Sequence, residues 1–330
     1  MRAIILVAGA GKKLRPHTNT QPKPLIPVAG KPILGHIIDT LLAVNLRNMI
    51  FVIGYMGEKI KTYVEENYSS QLEAQFVEQE PRLGTAHAIW LCKPHLQDSP
   101  SLILLGDTII DADWSHILEE KESVLAVQTV EDPRKFGVAI TDENGYITNL
   151  VEKPSIPKSN LALVGLYKIN ETQELLAAAQ EIIEAKQKTH NEYQLTDVLM
   201  KMTQKGIRLK AYKVTNWFDC GKKDMLLETN RILLSRKGMT PLPQFENTVI
   251  IPPVCIAPGC EIKNSIIGPY VAIAENAKIY NSILQNTILG AYATLDSIVL
   301  NHSIIGNDSS VIGRSHAINI GDNTEIDFNA

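Results

Sequence analysis

The sequence predicts an α/β domain on a mostly parallel sheet, followed by a smaller parallel β-helix. Three observations carry this reading. Over residues 1–237, short β-rich apolar runs alternate with stretches of helical periodicity. The texture then breaks at Gly238-Met-Thr-Pro-Leu-Pro243, whose glycine and prolines mark a linker over 238–245. Across 246–330 no helical window remains, and isoleucines recur at near-regular short steps. A chain of 330 residues also has the length of about two domains at roughly 150 residues each.

Ala3–Val7, Met49–Ile53, Ser101–Leu105 and Val124–Val130 are short, branched apolar runs, which is how strands buried on both faces read. In Pro32–Leu46 the residues Ile33, Ile37, Ile38, Leu41 and Leu42 fall at helical spacing, and Pro32 suits the first turn. Gly57–Asn67, Thr85–Cys92 and Asp113–Glu122 are further helices. Strands alternating with helices give a mostly parallel sheet covered on both faces. Thr141-Asp-Glu-Asn-Gly145 is a turn between apolar runs, so one antiparallel hairpin interrupts the pattern. Amphipathic helices follow at about Asn170–Lys188 and Lys222–Lys237.

In the last 85 residues, steps of six (Ile256 to Ile262, Ile267 to Ile273 to Ile279, Ile298 to Ile304) mix with steps of five (Ile279, Leu284, Leu289). Small or polar residues stand between them: Asn264-Ser265, Asn281-Ser282, Gly268, Gly290 and Gly306. One inward aliphatic per face and three faces per turn describe a hexapeptide solenoid of four to five coils of about 18 residues. A β-sandwich would alternate at period two between longer turns.

The net charge of −4, from 32 basic and 36 acidic residues, argues against a general nucleic-acid or anionic-membrane binder. It hides a local asymmetry. Arg2, Lys12, Lys13, Arg15, Lys23 and Lys31 all precede the first carboxylate, Asp39. Uncompensated cations beside a glycine-rich loop point to a small polyanion. Cys92, Cys220, Cys255 and Cys260 show no CxxC spacing and suit a reducing compartment. The apolar opening is too short for a signal-peptide core, and no run approaches the roughly 20 residues of a membrane span. A cytoplasmic location is expected.

The loop itself, Ala8-Gly-Ala-Gly-Lys-Lys-Leu-Arg-Pro-His-Thr18, fits neither of two familiar phosphate-binding patterns. A dinucleotide fold needs a third glycine where Leu14 stands, and Pro16 follows. A P-loop needs a hydroxyl after its lysine, which Lys12-Lys13 lacks. A wide glycine loop that presents backbone N–H groups and lysines to a triphosphate remains.

Gly9-Ala-Gly11-Lys-Lys13-Leu-Arg-Pro16-His-Thr18 with Lys23-Pro24 resembles the opening motif of the sugar-phosphate nucleotidylyltransferases. Further resemblances follow in the family's order: Gln79-Glu-Pro-Arg-Leu-Gly-Thr-Ala86, Leu105-Gly106-Asp107, Phe136-Gly137-Val138, Glu152-Lys153-Pro154, Gly165-Leu166-Tyr167 and Trp217-Phe-Asp219-Cys-Gly221. The resemblance covers residues 1–235 and continues into the C-terminal left-handed hexapeptide β-helix of the longer, glucose-1-phosphate thymidylyltransferase-like members. It implies a Rossmann-like nucleotidyltransferase domain. The implied reaction condenses a nucleoside triphosphate (dTTP or UTP favoured) with a sugar-1-phosphate (glucose-1-phosphate favoured), giving a nucleotide-sugar and pyrophosphate.

Such a reaction needs positioning and charge neutralisation more than proton transfer. Carried over residue by residue, the resemblance assigns catalysis to Lys13, Lys23, Asp107 and Asp219, with Asp107 and Asp219 holding Mg²⁺, which takes hard oxygen ligands. It assigns Ala8, Gly9, Gly11, Lys12, Arg15, Gln79, Gly84 and Thr85 to the nucleotide, and Gly137, Glu152, Lys153 and Gly165 to the sugar phosphate. Read alone, Asp107 suits a helix N-cap as well as a metal ligand, and Gln79 suits an acidic surface as well as a pyrimidine edge. Lys13 stands where the family pattern has its catalytic arginine, and Ala8 replaces a glycine. A lysine cannot grip two phosphate oxygens as an arginine fork does. That departure keeps open a catalytically weak nucleotide- or sugar-binding regulatory homologue. Arg15 is a candidate for the missing fork. The solenoid carries His302 and His316, which in hexapeptide acyltransferases would be candidate bases. The absence of the longer extension of bifunctional relatives points instead to a structural or homo-oligomerising role. No nucleic-acid or membrane partner is expected.

Overall fold

The computed structural model describes residues 1–96, 99–236 and 243–314. Of the expected linker, residues 238–242 lie outside this set, as does His316. The chain divides into two compact units, Met1–Thr229 and Asn230–Ala330.

The first unit begins with β1 (Arg2–Leu6), short strands β2 (Pro27–Val28) and β3 (Lys31–Pro32), helix α1 (Ile33–Ala43) and β4 (Asn48–Ile53). Next come α2 (Gly57–Tyr68), β5 (Glu73–Glu78), α3 (Thr85–Leu91), β6 (Ser101–Leu105), β7 (Thr108–Asp111), α4 (Trp114–Glu119) and β8 (Ser123–Thr129). The remainder comprises β9 (Gly137–Thr141), β10 (Ile147–Glu152), β11 (Leu161–Ile169), α5 (Thr172–Glu184), α6 (Leu195–Gln204), β12 (Leu209–Lys213) and β13 (Asn216–Asp219); α7 (Lys223–Arg236) starts in this unit and includes the division at Thr229. β6, β1, β4 and β5 form the parallel core of the Rossmann-like sheet, with Ala3 between Met49 and Leu102. Ile4, Ile5, Phe51, Leu102 and Ile103 are fully buried there, so these strands read as continuous apolar runs.

β11 extends the sheet with antiparallel partners. Its first residues pair with β9 and its last with β6, while β8 runs along its other edge. The register slips between Leu163 and Tyr167. Gly165 sits in that bulge at φ +86, where an added Cβ would lie 2.7 Å from the Leu105 side chain. Only glycine adopts this conformation cheaply. The expected hairpin is β9–β10. The sequence reading passed over α6, although its inward Leu195, Val198, Leu199 and Met202 fall at helical spacing. No helix among the described residues is long and apolar enough to cross a membrane.

The second unit contains the expected left-handed parallel β-helix, with three stacks of strands. Val249, Ile266, Ile283 and Val299 lie one above the next, as do Glu261, Lys278, Thr294 and Ser310. The registers give coils of 17 and then 16 residues, slightly shorter than the expected length of about 18. The shortening comes from the five-residue steps, which remove a corner residue while keeping Ile262, Ile267, Ile273, Ile279, Leu284, Leu289 and Leu295 inward and buried. Along one corner Asn247, Asn264 and Asn281 adopt left-handed φ. Each donates its side-chain amide to the next coil, ending on Asp296. Asparagine tolerates that conformation better than most residues.

Candidate active site

The cleft opens at the carboxyl ends of β1, β5 and β6, where ligands of open α/β sheets bind. After β1 the chain turns through Gly9 to Gly11. Tyr55 donates its backbone N–H to Ala8 O (3.1 Å), and Thr18 Oγ1 donates to Gly11 O (3.0 Å). Gly11 has φ +60, and a Cβ there would lie 2.8 Å from Lys23 Cβ. The glycine thus lets Lys23 pack beneath the loop.

Lys23 is buried, and its Nζ donates to Asp107 Oδ2 at 2.6 Å. Asp107 follows β6 through Gly106, whose N–H bonds Leu6 O at 3.0 Å and whose Cβ position is filled by Val7 Cγ1 at 2.3 Å. A side chain at 106 would push β6 away from β1, so the glycine places the carboxylate at the mouth of the loop. Asp219 arrives from a different segment. β13 pairs antiparallel with β7, setting Asp219 opposite Thr108, and the next residue, Cys220, donates its N–H to Asp107 O at 3.0 Å.

The two carboxyls are tuned in opposite directions. Burial pushes Asp107 upward, but the Lys23 ammonium, with help from Thr108, holds it below its ordinary value. Burial raises Asp219, and the neighbouring Asp107 charge raises it further, against weaker opposition from Lys23 and Lys13. Among the described residues no cluster of three or more His, Cys, Asp or Glu could hold a metal. Two adjacent carboxylates fit an ion that takes its other ligands from phosphates and water, as magnesium does.

Two adjoining pockets meet at this pair. One of about 320 Å³ is lined by Ala8, Gly9, Gly11, Gln79, Gly84 and Thr85. The other, of about 600 Å³, is lined by Lys13, Gly137, Glu152, Lys153, Trp217 and Asp219, among others. Lys23, Asp107, Gly11, Thr85 and Glu192 border both.

In the smaller pocket, Gln79 is buried and its amide nitrogen donates to Gly84 O at 2.8 Å, with His87 Nδ1 at 3.4 Å. The side chain therefore turns its carbonyl oxygen, rather than donor and acceptor together, to a ligand. Gly84 has φ +115, and a Cβ would lie 2.4 Å from Tyr193 O. Thr85 Oγ1 accepts the Leu195 N–H at 2.9 Å. In the larger pocket Glu152 accepts Thr196 Oγ1 at 2.7 Å and pairs with Lys153 at 3.0 Å. Gly137 packs so close that a Cβ would meet Glu152 Oε2 at 3.1 Å. Phe136 meets Trp217 edge-on with ring centres 4.8 Å apart.

Three expectations change. Arg15 is exposed and lines neither pocket, because the 3-10 turn Lys12–Leu14 carries it away from the cleft. Lys12 borders the larger pocket rather than the smaller one. Gly165 lines neither and serves the β11 bulge. Sequence reading also missed Glu192, Thr196 and Lys222. The first two stand beside the overlooked α6, and Lys222 had only its place after the Asp219 motif as a signal.

A glycine loop, lysines lining the cleft and a carboxylate pair where two pockets meet are the parts a nucleotidyltransferase needs. A family model for the nucleotidyl transferases matches residues 2–236, and the chain belongs to that family. It is 31% identical over 246 residues to the low-salt glycan biosynthesis nucleotidyltransferase Agl11 of Haloferax volcanii, covering 72% of this chain and 68% of that protein. It is 36% identical over 255 residues to the bifunctional protein GlmU of Methanocaldococcus jannaschii, covering 76% of this chain and 59% of GlmU, so it spans about three fifths of that relative. Among solved structures, a putative glucose-1-phosphate thymidylyltransferase from Bacillus anthracis superposes with a TM-score of 0.63 at 25% identity, over 73% of this chain and 98% of that one. The non-catalytic alternative raised by Lys13 gains no support, since Lys13 itself borders the cleft next to an intact carboxylate pair.

Proposed function

We propose that this chain joins a nucleoside triphosphate, dTTP or UTP, to a sugar-1-phosphate, glucose-1-phosphate first among them, in a magnesium-dependent reaction. The observation that carries the reading is the pair of adjoining pockets that share Lys23 and Asp107, with Asp219 drawn alongside. A glucose-1-phosphate thymidylyltransferase of Streptomyces griseus, 29% identical over 240 residues, supports the choice of substrates.

An oxygen of the sugar phosphate attacks the α-phosphorus. The bond from that phosphorus to the bridging oxygen breaks, and pyrophosphate leaves with the electron pair. Backbone N–H groups of the Gly9–Gly11 loop and Lys23 face the triphosphate. The Gln79 carbonyl oxygen accepts the N3–H of a pyrimidine. Lys153 meets the sugar phosphate, and Glu152, held by Thr196, accepts hydroxyl hydrogen bonds. Asp107 and Asp219 would hold Mg²⁺, which supplies charge neutralisation at the phosphate oxygens.

The test incubates the protein with Mg²⁺, a triphosphate and a sugar-1-phosphate, and measures pyrophosphate. Release with dTTP or UTP and glucose-1-phosphate supports the proposal; none with any common pair overturns it. We place the chain in the cytoplasm, a reducing compartment that its four scattered cysteines, without CxxC spacing, suit. The β-helix carries an exposed, uncharged row of Val249, Ile266, Ile283 and Val299, one per coil. We assign it to homo-oligomer contacts, and a clean monomer by light scattering would refute that.

A further inference from the structure

We infer that His87 is a positioning residue for the nucleobase: its Nδ1 takes the second amide hydrogen of Gln79, so that Gln79 meets the base with its oxygen alone and the pocket takes uracil or thymine in preference to cytosine. The inference rests on the proposed reaction and concerns how the nucleotide end selects its base.

Gln79 is buried and borders the smaller pocket. Its amide carries both donor hydrogens on nitrogen and its lone pairs on oxygen, and one orientation fits the neighbours. The nitrogen lies 2.8 Å from Gly84 O, a carbonyl that also accepts the Ala88 N–H at 3.1 Å in the first turn of α3. Turning the amide over would set two acceptor oxygens against each other at that distance. The remaining hydrogen on the nitrogen is left for His87 Nδ1, at 3.4 Å. A ring nitrogen that faces an amino group presents its lone pair, which places the imidazole proton on Nε2.

The ring is held in place for this contact. His87 is buried and stacks on Trp90, one turn along α3, with ring centres 6.3 Å apart and planes at 22°. Gln79 and Trp90 face it, and neither is charged; burial lowers its basicity with no charged side chain contributing. Both amide hydrogens of Gln79 are thus taken up inside the protein. Its Oε1 has no partner among the described residues and is left for a ligand. Uracil and thymine bring an N3–H to that oxygen. Cytosine brings an N3 lone pair, so two acceptors meet and neither is paired, which is how a buried polar group rejects the wrong ligand.

The test measures binding of UTP and of CTP by calorimetry, and KM for each in the pyrophosphate assay, on the full chain. The ratio of the two is the readout, because titration of the triphosphate and of the carboxylates affects both nucleotides alike. The wild type should prefer UTP, and Gln79→Ala should lose the preference. His87→Phe keeps a ring against Trp90 and removes the acceptor, which frees Gln79 to turn its nitrogen to the base. The preference should fall roughly five- to tenfold, the worth of one neutral hydrogen bond, while KM for the sugar-1-phosphate stays within about twofold. Made in Gln79→Ala, the same substitution should change the ratio no further, since His87 acts through Gln79. His87→Asn keeps an acceptor, its Oδ1, near the place of Nδ1 and should keep the preference. An imidazolium would aim Nδ1–H at the Gln79 amino group, so the wild-type preference should shrink as pH falls through the lowered value of His87, and in His87→Asn it should hold. An unchanged ratio in Gln79→Ala or His87→Phe, an equal further loss in the Gln79→Ala background, or a preference in His87→Asn that falls with pH as the wild type's does would each overturn the inference. A wild-type protein that turns over no substrate pair overturns instead the proposed reaction.

Discussion

Lys23 Nζ lies 2.6 Å from Asp107 Oδ2, a buried ammonium neutralised by a carboxylate that we propose as a metal ligand. The pair ties the glycine loop to the end of β6 before any substrate is bound. Its other neighbour, Asp219, has no such cation to itself. The two carboxyls of one site therefore act on stability with opposite signs.

In metal-free buffer at neutral pH, Asp107→Asn should lower the melting temperature and Asp219→Asn should raise it, each by about 2 °C or more. The first change leaves Lys23 buried beside a neutral amide. The second removes a carboxylate that burial and Asp107 both disfavour. The pH dependence follows. Asp107, held below its unfolded value, stabilises above that value, and its contribution is lost as pH falls through the lowered folded value. Asp219, held above its unfolded value, opposes folding when ionised, and that penalty is relieved as pH falls through its raised value. Both variants should lose more than a hundredfold in turnover. Thermal melts of the two variants moving in the same direction would refute the opposite tuning.

Gly84→Ala tests the nucleotide pocket. The new Cβ meets Tyr193 O at 2.4 Å in a backbone conformation that alanine resists, so the Gln79–Gly84 contact must open. KM for the triphosphate should rise about tenfold or more, while KM for the sugar phosphate changes little. Equal effects on both substrates would show that the loop serves the whole cleft.

Thr196→Val removes the hydroxyl that orients Glu152 and keeps the shape of the side chain. The expected result is a several-fold rise in KM for the sugar-1-phosphate, about the worth of one hydrogen bond to a charged group, with triphosphate KM unaffected. A change in triphosphate KM instead would place Glu152 at the wrong end of the cleft.

Periodicity made most of the fold legible, since β1, β4, β6 and β8 are buried on both faces and α1 and α5 carry one apolar stripe. The amphipathic α6 was legible by the same rule and was passed over. The β11 bulge was not, because a positive φ at Gly165 has no signature beyond the glycine itself. Within the site, Lys23, Asp107 and Asp219 stood in motifs and converge as expected. The approach of Asp219 to Asp107 depends on β13 pairing with β7 across 105 to 111 residues of sequence, a contact that spacing alone does not encode. Arg15 lies outside both pockets because direction around a 3-10 turn decides whether a side chain faces the cleft.

The central claim is tested most directly by pyrophosphate release across a matrix of triphosphates and sugar-1-phosphates, with Asp107→Asn as the control. The account predicts release that requires Mg²⁺, is greatest with dTTP or UTP and glucose-1-phosphate, and disappears in Asp107→Asn. Release that persists in Asp107→Asn, or no release with any pair, would contradict it.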